Sequence, residues 1–409
     1  MSRLFPPAKD AANPRENKGR CRRSTMTANG RISWSRRRWS GGSVGSDCPV
    51  DKLIDEAESA VSVGVRQLCC REATQARSFA RGRENLQHLA QLSVGEEQFR
   101  RIVESEGQAV LKASESGQLE LDWSGQDCLT LTPEGQATTR IYASCDGVLA
   151  PVTTQAEKDK RRETVKKWRQ ETPRKKRGKL KRLPAVKAGS DQRYKQVYVS
   201  VLYDQDQSHR LVGVTRHGTP GLERLLRREG ERAGLLSAKE RAGIIDGAVC
   251  LRSNLEVLPL QRMVLDFYHF SEHVGQAGAA TLGKETPATR DFLDQVLHTA
   301  RHEGYEPFFQ QLIEWRSPLR GGKRQAADAL IGYVAPRQEM ICYGECEKKG
   351  WDVGSGPMES MCGVTTDRLK GRGRRWDIDN AEAMMALEGL YQSTGLWDRY
   401  WADAFLHRN

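Results

Sequence analysis

Apolar positions recur along this chain with two different periods, and the change between them divides it. In VDKLIDEAESAVSVGVRQLCCREA (residues 50–73) they fall at helical spacing, the pattern of a helix with one apolar face. RENLQHLAQLSVGEEQFRRIVESEGQAVLKA (83–113) reads as helix, short turn, helix, with Ser93 a candidate cap. Residues 49–118 are therefore expected to form a small helical domain. From residue 139 runs of β-branched and aromatic residues take over. RIYASCDGVLAPV (140–152), QVYVSVLYDQDQSH (196–209) and RLVGVTRHG (210–218) are strand candidates. Helical GLERLLRREGERAGL (221–235) follows, then the strand candidates RAGIIDGAVCL (241–251) and LQRMVLDFYHF (260–270). The order β, β, β, α, β, β predicts an α/β fold with a mixed sheet. Helical patterning resumes over 285–340, after Gly356 and in AEAMMALEGLYQ (381–392). Residues 119–138, with Gly, Ser, Thr and one Pro, read as a linker. Residues 1–48, rich in Arg, Ser, Gly and Pro, read as largely disordered.

Charge changes this picture. The 409 residues carry a net +12, with a pI near 9.3. Residues 158–187 alone hold 15 Lys/Arg against 3 Asp/Glu, and residues 1–40 hold 11 against 2, so the rest of the chain is net −9. An acidic body with two dense basic segments points to a polyanionic partner, and nucleic acid is the expected one. Lys175, Lys176 and Arg177, within a basic insert at 155–190, are candidate phosphate contacts. Trp34 and Trp39 among Arg36, Arg37 and Arg38 suit stacking beside phosphate contact. Arg100 and Arg101 on the second helix of the pair fit a helix-turn-helix reader of DNA, although short helical hairpins are common. No apolar run approaches the ~18 residues that span a membrane. The first twenty residues have no apolar segment of the secretory kind. A cytoplasmic, nucleoid-associated protein without a membrane partner is expected, its ten cysteines free thiols.

Three acidic residues carry the candidate chemistry. Asp146 closes the apolar run in IYASCDG, Asp246 closes that in RAGIIDG, and Glu359 follows the turn GSGPME. A carboxylate at the end of a buried strand is costly unless it is exposed in a cleft or holds a cation. Each alone has a plainer reading: Asp-Gly is a turn signal, and an acid suits the first turn of a helix. Together they could form a divalent-metal site for phosphodiester transfer, where two cations stabilise the attacking and leaving oxygens. Hard oxygen donors suit Mg²⁺ or Mn²⁺. Gly147 and Gly247 are expected to leave room for the scissile backbone. Asp266 and His269, in LDFYHF, could orient a ligand or phosphate around that site. Asp367 opens a run in which Arg368, Lys370, Arg372, Arg374 and Arg375 could hold the DNA backbone and Trp376 stack on a base or anchor the chain.

On CDG (145–147), IIDGA (244–248), LDFYHFSEH (265–273), VGSGPMES (353–360) and RLKGRGRRW (368–376), the chain resembles bacterial insertion-sequence transposases of the DDE class, ISKra type, related to the mutator-like and hAT-like groups. The resemblance runs from about residue 50 to 402. It implies an RNase H-like catalytic domain at 139–402, with a helical insertion at 275–350 before the glutamate. It assigns the catalytic and metal-binding triad to Asp146, Asp246 and Glu359, with two Mg²⁺ or Mn²⁺ ions, and matches Asp266 and His269 to an Asp-x-x-His pair. It implies DNA as partner, both element ends and target, and a homo-oligomer that is at least a dimer. Such relatives carry a cysteine-rich, zinc-ribbon-like N-terminus; Cys21 and Cys48 lack paired spacing, and Cys342 and Cys346 have no second ligand pair, so zinc is not expected. Relatives tend to have an aromatic residue shortly after the second Asp-Gly, where this chain has Val249 and Cys250. Two other readings stand beside it: a non-catalytic DNA-binding protein, as a decayed copy or regulator, and an RNase H-like nuclease that cuts without joining.

Overall fold

The computed structural model describes residues 16–28, 30–41, 45–47, 61–172, 194–371 and 374–407. The chain divides into two compact units, Met1–Glu106 with Asp398–Asn409, and Gly107–Trp397.

In the first unit β1 (Glu16–Thr27) and β2 (Gly30–Gly41) form an antiparallel hairpin closed at Thr27↔Gly30, and β3 (Gly45–Asp47) pairs with β2. The expectation of disorder over residues 1–48 is thereby corrected for the described part. Composition measures side-chain burial, whereas ladder hydrogen bonds use backbone groups that Arg and Ser supply as well as any residue. Three helices follow, α1 (Val63–Gln75), α2 (Phe79–Leu89) and α3 (Glu96–Glu115), the last running past Glu106 into the second unit. Ser62 and Ser78 cap the first two through side-chain oxygens, and Leu86, Phe99 and Val103 are buried between them. The start of α3 at Glu96 leaves Ser93 outside the helix.

The second unit is built on β5 (Ala137–Thr153), buried along most of its length. β4 (Leu129–Leu131) pairs with its first residues. After β5 come α4 (Gln155–Glu171), β6 (Tyr194–Tyr203), β7 (Arg210–Thr215), α5 (Gly218–Arg232), β8 (Glu240–Ile245), α6 (Val249–Leu255) and β9 (Arg262–Leu265). The sheet order is β7-β6-β5-β8-β9. β5 to β7 pair antiparallel, and β5, β8 and β9 pair in parallel. The chain is thus α/β with a mixed sheet, as its periodicity predicts. Residues 119–138 are not a linker: Leu119, Trp123 and Cys128 are buried. The basic insert opens as α4, fixed by a reciprocal Thr154–Glu157 capping box; Lys175, Lys176 and Arg177 lie outside the described residues.

Between β9 and Glu359 the chain is helical: α7 (Phe267–Leu282), α8 (Pro287–His302), α9 (Tyr305–Arg316), α10 (Gly321–Val334), a 3-10 stretch (Ala335–Met340) and α11 (Tyr343–Lys349). Then come α12 (Gly356–Asp367), β10 (Trp376–Asp377), which pairs in parallel with β5, α13 (Ile378–Gln392) and α14 (Leu396–His407). Every residue of α13 from Ala381 to Leu390 is buried, which makes it a core helix rather than a surface one.

Candidate active site

Strand register brings the first two acids together. β5 and β8 pair from Arg140↔Glu240 to Ala143↔Gly243, an offset of 100 residues. Three residues further on, the same offset sets Asp146 level with Asp246. Asp246 follows the last residue of β8, as expected for a strand-end acid. Asp146 does not end a strand: it lies inside β5, opposite Val199 of β6, just beyond the pairing with β8. Its Oδ1 accepts the Gly147 N–H at 2.6 Å, and its Oδ2 accepts the Cys362 thiol at 3.8 Å. Burial raises the Asp146 pKa, the Asp246 charge adds to the rise, and the Gly147 N–H opposes it.

The helical insertion grips the turn that carries Asp246. Tyr333 donates its hydroxyl to the Asp246 carbonyl at 3.0 Å, and Arg337 Nε donates to the Gly247 carbonyl at 2.8 Å. The Arg337 guanidinium lies 4.1 Å from the centre of the Tyr333 ring, whose other stacking partner is His273 at 3.8 Å. Burial pushes the Tyr333 hydroxyl up to about 12 and, with Arg337 adding, lowers the His273 pKa. Gly247 has φ +88°, and a Cβ there would meet Arg337 Nε at 2.6 Å and Leu265 Cδ1 at 2.7 Å. The expected clearance for a scissile strand is corrected at both glycines. Side chains of this chain occupy the space, Arg337 at Gly247 and Gln196 at Gly147.

Glu359 is delivered by a loop tied to Asp266. Asp266 is fully buried and caps α7, its Oδ1 accepting the His269 N–H at 2.7 Å. Its Oδ2 accepts the Ser355 N–H, and Phe267 N–H donates to the Val353 carbonyl at 2.9 Å. The loop before α12 is thereby held against the start of α7. Glu359 falls in the first turn of α12, with Oε1 3.5 Å from His269 Nε2. Cys362, one turn later, is the residue that touches Asp146. Asp266 therefore acts as a cap and loop anchor rather than directly on a ligand, while His269 faces the glutamate. The three carboxylates suit a hard divalent cation in kind, and the half-buried Asp146, opposed by Asp246, would gain from one. They do not close to within 4.8 Å of one another.

Among the described residues, the group that does close to that distance is Cys128, Asp204 and His209, which could hold a metal ion. No spacing motif announces it, because β4, β6 and β7 bring it together. Tyr333, Arg337 and Cys362 also escape sequence reading. Among the described residues, the Cys342–Cys346 pair, Sγ to Sγ 3.9 Å, gathers no such third ligand.

The basic candidates divide. Arg100 donates to Glu97 and Glu104, and Arg101 to Glu97, all within α3. Arg368 is buried, its guanidinium 5.1 Å from the Trp376 ring centre, and burial lowers its pKa to about 10. Trp376 is itself buried, paired with Val152 across β10 and β5. Arg368 thus packs in the core, which corrects its expected role on the DNA backbone, and Trp376 takes the second of its two readings, anchoring the chain. Arg374 donates to the Arg368 carbonyl at 3.0 Å, Lys370 and Arg375 are exposed, and Arg372 lies outside the described residues.

Neither protein-family models nor curated proteins match the chain. None of the described helices is long and apolar enough to cross a membrane.

Proposed function

We propose that this chain is a DDE-type DNA transposase, with an RNase H-like catalytic domain, that cleaves at the ends of an insertion sequence and joins them to target DNA. The observation that carries the reading is the β5/β8 register, which sets Asp146 level with Asp246 on neighbouring parallel strands. The loop anchored at Asp266 supports it by setting Glu359 beside His269, one helical turn before the Cys362 thiol that meets Asp146. So does the strand order, with a helical insertion between the second and third acids. Mg²⁺ or Mn²⁺ ions, held by these three carboxylates, would supply charge stabilisation to the oxygens that attack and leave phosphorus. His269 orients Glu359, and Tyr333 and Arg337 fix the turn that bears Asp246. Water attacks the phosphodiester at an element end and frees a 3′-hydroxyl, which then attacks a target phosphodiester. DNA ends and target are the partners, and holding two ends calls for at least a dimer, associated with the nucleoid.

Asp146→Asn, Asp246→Asn and Glu359→Gln are expected to abolish cleavage and strand transfer of end-bearing DNA while end binding persists. Full cleavage by all three variants would remove this triad from consideration. Nicked or broken plasmid without joined product in the wild type would favour a nuclease, and a wild type that neither cuts nor differs from Asp246→Asn in calorimetric Mn²⁺ binding would favour a non-catalytic DNA-binding protein.

A further inference from the structure

We propose that Cys128, Asp204 and His209 form a zinc site, with three protein ligands and one open position, independent of the acidic triad. Sγ, a carboxylate oxygen and a ring nitrogen of these residues all lie within 4.8 Å of one another. Sulfur, imidazole and carboxylate together make a donor set typical of zinc, whose ligand atoms stand roughly 3.5 Å apart when tetrahedral. Little movement would close the group around an ion. His209 Nδ1 and Asp204 Oδ2, now 2.6 Å apart, would open to roughly 3.3 Å. The Cys128 thiol, which donates to the Ser124 carbonyl at 3.6 Å, would turn to the ion and release its proton to solvent.

The ligands are held by backbone structure. Asp204 and His209 close the β6–β7 turn, where the Asp204 N–H donates to the His209 carbonyl at 3.1 Å. Asp204 Oδ1 accepts the His209 N–H at 3.1 Å, and Oδ2 accepts the Ser208 hydroxyl at 2.7 Å. Cys128 immediately precedes β4, and its carbonyl accepts the Arg140 N–H of β5 at 2.9 Å. Cys128 and Asp204 are buried, while the His209 side chain is a quarter exposed. That side leaves room for water as a fourth ligand. Because Tyr203 pairs with Tyr142, Asp204 is level with residue 141, about 17 Å along β5 from Asp146. An ion there would staple the segment before β4 to the β6–β7 hairpin, away from the proposed chemistry.

The test is cobalt substitution of the full chain, read by visible absorption. One Co²⁺ per chain is expected, with a thiolate charge-transfer band that zinc abolishes. Cys128→Ser should remove the band, and His209→Gln should weaken zinc binding by more than the about 10–100-fold that loss of a supporting partner costs. Asp246→Asn should keep the band, which separates this site from the triad. A chelator should lower the melting temperature of the wild type but not of Cys128→Ser, a comparison that holds even if the variant is less stable. A wild type without the band, or a band that survives in Cys128→Ser, overturns the proposal.

Discussion

At Gly247 one methyl group would decide the geometry of the candidate site. The backbone is left-handed there, and the space a Cβ would take is filled by Arg337 and Leu265. Gly247→Ala should therefore destabilise the fold by about 1–3 kcal/mol, measurable by urea unfolding. A change within about 0.5 kcal/mol would show that the turn relaxes freely. Arg337→Ala should cost cleavage more than stability, because it frees the Asp246–Gly247 turn from its clamp; equal activity at matched folded fraction would rule that out. Asp-Gly is readable in sequence as a turn, and at residue 246 it is one. At residue 146 the same dipeptide continues a strand, because its pairing with β6 outweighs the local turn preference. The partners Tyr333 and Arg337 stand about 90 residues from Asp246 in the chain, in helices whose periodicity says nothing about where they dock.

Elements were readable in proportion to the apolar surface they bury. The sheet strands and α13 show as apolar runs, whereas β1 and β2, built on Arg and Ser, carry no such signal. α13 adds a consequence of total burial. Glu388, buried within it, has its pKa raised to about 7 by burial first and by the Asp367 charge second, against the hydrogen bond from Gln392 Nε2 at 2.8 Å. A carboxyl whose pKa is raised on folding contributes stability in its neutral form. That contribution is full below the unfolded value near 4.5 and is lost as pH rises through about 7. The loss is on the order of 3 kcal/mol. Glu388→Gln should accordingly gain stability relative to wild type between pH 5 and pH 8, measured by urea unfolding at both. A difference that does not change with pH would mean the carboxylate is solvated in the folded chain.

On the scale of the whole molecule, two basic segments ride on a body of net charge −9. If the chain binds DNA as proposed, its salt-dependent binding should trace to few places. The local structure narrows them. Arg100 and Arg101 spend their charge on Glu97 and Glu104 within their own helix, and Arg368 is buried. α4, by contrast, carries seven Lys/Arg against four Asp/Glu, so basic charge stays in excess on its exposed Arg162, Lys166 and Lys167 even though Arg162 and Lys167 pair with Asp159 and Glu171 of the same helix, whose start is locked by its capping box. If this helix contacts phosphates, each contact contributes a slope of about −0.9 to log K against log salt on duplex DNA. The triple variant with Gln at these three positions should then flatten the slope by up to about 2.7. Because all three side chains are exposed, the substitutions should leave the melting temperature close to wild type, so that a changed slope reports lost contacts rather than lost fold. An unchanged slope at an unchanged melting temperature would make α4 a solvated helix and turn the search for the DNA-binding surface to Lys370 and Arg375, which follow α12 and the glutamate it carries.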